Sequence, residues 1–171
     1  MSKLIQITTK MLGYILVIFM AVIVIDVLWQ VFTRFILKDP SSFTEELAGF
    51  LLIWIGLLGS SYAFYTKVHL GIDVITMRLT GMKKFVVEII INSIVFLFAF
   101  FVLGWGGVYL VNLTFTLNQI SPALEIPMGY VYLVIPITGI LIMIYSLYFI
   151  ISTIKNNKLK QEEDKYKDVV I

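Results

Sequence analysis

Four long apolar runs, separated by short polar stretches, set the pattern of this chain. They cover about 11–36, 45–65, 85–112 and 128–154. A bilayer core about 30 Å thick is crossed by about 20 apolar residues in a helix, and each run reaches that length. Backbone groups in hydrocarbon must bond internally, so the runs are predicted to be helices rather than strands. Almost nothing remains for a soluble domain. The pattern predicts an all-α membrane protein: one domain over 1–171, four transmembrane helices, and a polar tail over 155–171.

Composition narrows the class. Hydrophobic residues fill 60% of the 171 positions and mean hydropathy is +0.97, where a soluble domain is about half apolar. The absence of cysteine excludes disulfides, thiolate zinc sites and thiol redox chemistry, and with them the four-helix quinone-linked thiol oxidases. One histidine, His69, cannot supply both axial ligands of a bis-histidine haem within one chain. The first run is not read as a signal peptide. It is too long for a signal core, carries Asp26 and Arg34, and is followed by no small-residue cleavage site.

The net charge of +2 says little, but its distribution gives the orientation. Eleven of the 13 basic residues lie before the first run, between the second and third, or after the fourth. Lys38 is clearly on the other side, with Arg34 near that end of the first run. The positive-inside rule places both termini in the cytoplasm. The outer connection from Lys38 to Thr44 is short and predicts a tight antiparallel hairpin. The second outer connection, from Asn112 to Pro127, holds no lysine or arginine, and Tyr130 and Tyr132 beyond it suit an outer aromatic belt. Between the second and third runs, Ile72, Ile75 and Leu79 recur at helical spacing among Asp73, Thr76 and Arg78. That pattern fits a short amphipathic helix in the inner interface, or an amphipathic turn capping the bundle. His69 and Asp73 fall in this interfacial anchor.

Charges in hydrocarbon need reasons, because each costs at least about 2.5–3.5 kcal/mol at the centre of a helix. Asp26, Gln30 and Arg34 are spaced at i, i+4 and i+8 and share a helical face. That face should meet protein. Asp26 has three readings: a hydrogen-bonding residue between helices, a contact with another subunit, or a proton or ion ligand. At its depth the second helix is predicted to offer Trp54, Ile55 and Gly56, which is thin support for an ion site. Arg34 and the pair Glu45 and Glu46 are predicted to form an ion pair across the outer hairpin. Ser41, Ser42 and Thr44 would cap the second helix, with Glu45 and Glu46 as first-turn acids. Gly49, Gly56 and Gly59, with Ala48, Ser60 and Ala63, would let that helix approach a neighbour closely. Glu88 and Asn92 lie one turn apart near the inner end of the third run, with Lys84 four residues before Glu88. Pro136 predicts a kink or a freed carbonyl in the fourth. The sequence holds no glycine-rich phosphate loop, no metal-spaced cluster and no nucleophile–histidine–acid set, so no enzyme is expected.

The stretch DVLWQVFTRFILKDPSSFTEELAGFLLIWIGLLGSSYAFYTKVHLGIDV resembles the small permease subunit of the TRAP transporters, the tripartite ATP-independent periplasmic transporters. The likeness lies in Gln30 and Arg34 on the first helix, the entry at Glu45 and Glu46, and the inner turn with His69, Gly71 and Asp73. SPALEIPMGYVYLVIPITG, with Pro122, Pro127, Tyr132 and Pro136, extends it. The resemblance implies a separate large membrane subunit, which carries substrate and sodium, and a periplasmic binding protein that delivers an organic acid. It implies no cofactor in this chain. It implies a static scaffold for an elevator-type partner, with sialic acid favoured over a four-carbon dicarboxylate, in the bacterial inner membrane. On that view Asp26, Gln30, Arg34, Glu45, Glu46, Gly49, Gly56 and Gly59 hold the bundle or the large subunit. Two other classes remain: a self-sufficient proton-coupled exporter using Asp26, and a membrane anchor for a redox complex.

Overall fold

The computed structural model describes residues 2–39, 41–67 and 81–169. Helix α1 (Ser2–Phe32) runs into a π-helical turn, Thr33–Leu37, which ends where Lys38 takes the left-handed conformation. Helix α2 is Ser42–Tyr65. The third span is α3 (Gly81–Phe98), a π-helical segment (Ala99–Gly106) and α4 (Gly107–Thr116) in unbroken succession. The fourth is a short α5 (Met128–Tyr132) followed by α6 (Val134–Val169). Four helical stretches are long and apolar enough to cross a membrane: Lys3–Leu37, Ser42–Tyr65, Gly81–Thr116 and Met128–Lys158. The amphipathic helix predicted around Ile72, Ile75 and Leu79, with His69 and Asp73, lies outside the described residues.

Helix α1 begins well before the apolar run does. Its added turns carry Ile5 and Thr9, which continue the face of Leu12, and all three are buried. A helix may continue past its hydrophobic stretch wherever its periodic face still has something to pack against. Here Thr9 meets Tyr145 of α6, hydroxyl to hydroxyl at 3.1 Å, while Thr9 Oγ1 also donates to the Ile5 carbonyl.

The spans do not form a closed square. The first packs along the second, the second along the fourth, and the fourth along the third. No comparable pairing joins the first to the third. The fourth span is the most buried of the four. One apolar cluster joins Ile5, Phe64, Ala99, Ile142 and Tyr145; a second joins Leu12, Leu58 and Val134.

Lipid tails are as apolar as leucine, so close packing and polar contacts hold such helices together. Polar contacts converge on the fourth span. Besides Thr9–Tyr145, the Trp54 indole N–H donates to the Val131 carbonyl at 3.1 Å. The Ser146 hydroxyl donates to the Asn92 carbonyl. Thr153 Oγ1 donates to Glu88 Oε2 at 3.2 Å. Pro136 has no N–H to give the Tyr132 carbonyl, and the helix is interrupted at the next residue, Leu133; the Trp54 indole serves the neighbouring carbonyl of Val131.

Glycines permit the closest approach, on the third and fourth spans rather than on α2. A Cβ on Gly139 would stand 2.9 Å from Leu103 Cβ and 3.0 Å from the Gly104 nitrogen. One on Gly107 would stand 2.9 Å from Ile135 Cγ2 and 3.0 Å from Pro136 Cδ. The third and fourth spans thus touch nearly backbone to backbone at the π-helical segment. On α2, by contrast, a Cβ on Gly49 or Gly56 would meet nothing within 4 Å among the described residues, and one on Gly59 would meet Leu16 Cδ2 at 4.0 Å. Of the two contacts expected of Gly49 and Gly56, with the bundle or with the large subunit, the first thus finds no close neighbour among the described residues. A count of small residues does not say which face of a helix has a neighbour within the chain.

Candidate functional site

Asp26 is 7% exposed, on the side of α1 that faces the first turns of α2. It lies in a groove of about 420 Å³ whose other walls are Val22, Ile25 and Trp29 of α1 and Phe43, Thr44 and Leu47 of α2. Among the described residues nothing donates a hydrogen bond to its Oδ2. The nearby hydroxyl of Thr44 is committed elsewhere, to the Ser41 carbonyl at 2.8 Å. The neighbours expected at this depth were Trp54, Ile55 and Gly56. Trp54 lies lower instead, edge-on to Phe19 with ring centroids 6.0 Å apart. The reason is an offset: the first span continues through Leu37, beyond the level at which α2 begins.

The stripe of Asp26, Gln30 and Arg34 is not buried as a unit. Gln30 is half-buried, and its carbonyl accepts the Thr33 hydroxyl at 3.0 Å. Arg34 is exposed. At 3.6 residues per turn, i+8 has already rotated by about 80° from i, which takes Arg34 off the buried face. The predicted ion pair of Arg34 with Glu45 or Glu46 does not form. Among the described residues the one ion pair is Lys84–Glu88, at 4.0 Å.

Glu45 is exposed, whereas Glu46 turns to the second outer loop. Its Oε2 accepts the N–H groups of Ala123 at 3.1 Å and Leu124 at 2.9 Å. That loop is compact. Ser121 N–H donates to the Ile126 carbonyl at 3.0 Å, Met128 N–H to the Gln119 carbonyl at 2.8 Å, and Ile120 and Pro127 form an antiparallel bridge. Asn118 and Glu125 adopt positive φ at its bends. Glu46 thus ties the start of α2 to the entry of the fourth span. The capping expectation is corrected in part: Ser41 occupies the cap position, but its hydroxyl makes no cap bond.

At the inner end, Glu88 receives Thr153 and pairs with Lys84, while Asn92 Nδ2 donates to the Glu88 carbonyl at 2.7 Å. These groups join the third and fourth spans. Among the described residues no group of three His, Cys, Asp or Glu side chains could hold a metal ion.

The site, then, consists of helix-binding contacts and one unpartnered carboxyl, and the comparisons give it a setting. Residues 23–156 match the family described as "Tripartite ATP-independent periplasmic transporters, DctQ component". The chain belongs to this family. The family is a transporter component and not an enzyme. A protein of Haemophilus influenzae assigned as a TRAP transporter small permease protein is 25% identical over 154 residues, covering 90% of this chain and 94% of its own. The isethionate TRAP transporter permease protein DctMQ of Oleidesulfovibrio alaskensis is 34% identical over 95 residues, 56% of this chain but 15% of that protein. The sialic acid TRAP transporter small permease protein SiaQ of Vibrio cholerae is 32% identical over 88 residues, 50% of this chain and 51% of its own. With four apolar spans, the chain is a multi-pass TRAP small permease.

Proposed function

We propose that this chain is the small membrane subunit of a sodium-driven TRAP transporter that imports an organic acid. It acts as the static scaffold of a larger, elevator-type membrane subunit, with both termini in the cytoplasm and the bundle in the bacterial inner membrane. Membership of the DctQ family carries the reading. The internal architecture supports it: the polar contacts between spans tie helix to helix rather than converge on a cavity. An elevator needs a part that stays still, and displacing apolar belts into water costs about 25 cal/mol per Å².

The partner is a larger membrane protein, in keeping with the short share of the DctMQ permease that the chain matches. Sodium binds in that partner, and this chain needs no cofactor. The loop held by Glu46 is the outer feature suited to help dock a periplasmic binding protein. Isethionate and sialic acid, named for two relatives, are both organic anions. Sialic acid is our favoured substrate, with a four-carbon dicarboxylate next.

The test is uptake into proteoliposomes holding this chain, its larger partner and the binding protein. A sodium gradient should drive uptake of the organic acid, and omission of this chain should abolish it. Uptake that proceeds without this chain would refute the scaffold reading. A pH-gradient-driven export by this chain alone, lost in Asp26→Asn, would favour the exporter class.

A further inference from the structure

We infer that the groove around Asp26 is the seat of one transmembrane helix of the larger membrane subunit, and that this helix supplies a hydroxyl or amide donor to the Asp26 carboxyl. The inference rests on the scaffold reading and adds the face, the residue and the chemistry of contact. Three observations carry it. First, Asp26 is 7% exposed, and its Oδ2, itself buried, has no donor among the described residues. Torsion about the last bond of an aspartate is broad, so either oxygen can turn to the groove. Second, the rim of the groove is apolar and open: Val22, Ile25, Trp29 and Phe43 are all exposed. Third, the first span stands at one end of the row of helices, packed chiefly on α2.

An acyl chain would fill the apolar rim but has no proton to give, and a polar group in hydrocarbon is satisfied by protein or by a water-filled cavity. A helix with a serine, threonine, asparagine or glutamine facing the groove meets both demands. Lipids and a second copy of this chain are the competing occupants.

The experiment uses the whole transporter in native membranes. Trp29→p-benzoylphenylalanine places a photo-crosslinker on the rim; Tyr109→p-benzoylphenylalanine places one on α4, at the other end of the row. Light should join Trp29 to the larger subunit, and far more efficiently than Tyr109. Separately, Asp26→Leu should lower recovery of the larger subunit about threefold to twentyfold, the span of a single interhelical hydrogen bond. Asp26→Asn keeps an acceptor oxygen and should retain most of it. Adducts from Trp29 only with lipid or with a second copy would overturn the inference. So would Asp26→Leu recovering the partner as the unaltered chain does. Should Asp26→Leu fail to fold, the Trp29 crosslink decides alone, since it leaves Asp26 intact. If the unaltered chain captures no larger membrane protein by either route, the scaffold reading falls, and this inference with it.

Discussion

Glu46 illustrates how a single side chain can be legible in the sequence while its partner is not. A pair of acids at the start of α2 marks the position. The donors turned out to be two backbone N–H groups 77 and 78 residues away, and every residue except proline carries such a donor. Arginine is the obvious partner in a sequence, but Arg34 is exposed and free of any carboxylate within 4.0 Å among the described residues. It follows that reversing Arg34 and Glu45 together should give no rescue beyond the sum of the two single changes, measured as stability in detergent. Glu46→Ala should speed amide hydrogen exchange at Ala123 and Leu124 while helix content stays constant; Glu46→Gln, which keeps an acceptor, should do so less. Unchanged exchange in Glu46→Ala would remove its hold on the loop. At the inner end, Tyr145→Phe deletes the hydroxyl that meets Thr9, and the expected loss is about 0.6 kcal/mol, the mean for such contacts in a bilayer.

At the scale of the element, the four spans were evident because hydropathy alone identifies a segment that crosses a membrane. Their ends were less so. The first span starts earlier than the apolar run, because a helix can outrun its hydrophobic stretch while a face remains buried, as it does at Ile5 and Thr9; the third starts at Gly81. The π-helical segment Ala99–Gly106 left no periodic signal, since a π turn changes backbone bonding rather than residue type. Glycine position was informative only with the neighbour known. Gly139→Ala should destabilise the bundle by about 1–3 kcal/mol, because its new methyl group would press on Leu103 and the Gly104 backbone. Gly49→Ala meets nothing within 4 Å and should stabilise α2 by about 0.5–1 kcal/mol through backbone entropy. Thermal unfolding of the two variants in one detergent compares them directly; equal effects would mean that the contact between the third and fourth spans is not as close as described.

For the whole molecule, hydropathy and charge gave the number of spans, but not the order in which they pack. The first, second, fourth and third spans lie in sequence across the structure, with the fourth packed between the second and the third. This arrangement leaves long apolar flanks on the first and third spans, suited to contact with lipid tails or with another membrane helix. The chain contains no cysteine, so introduced pairs report without background. Leu16→Cys with Gly59→Cys should be bridged by a short thiol reagent, and Leu16→Cys with Tyr109→Cys should not. The central claim is that this small permease works only as part of a larger membrane assembly. The most direct measurement is purification of the unaltered chain from its native membrane in mild detergent, with every copurifying protein identified by mass. One larger, many-helix membrane protein should copurify in equimolar amount. Recovery of the chain alone, or as a homodimer, would contradict the claim.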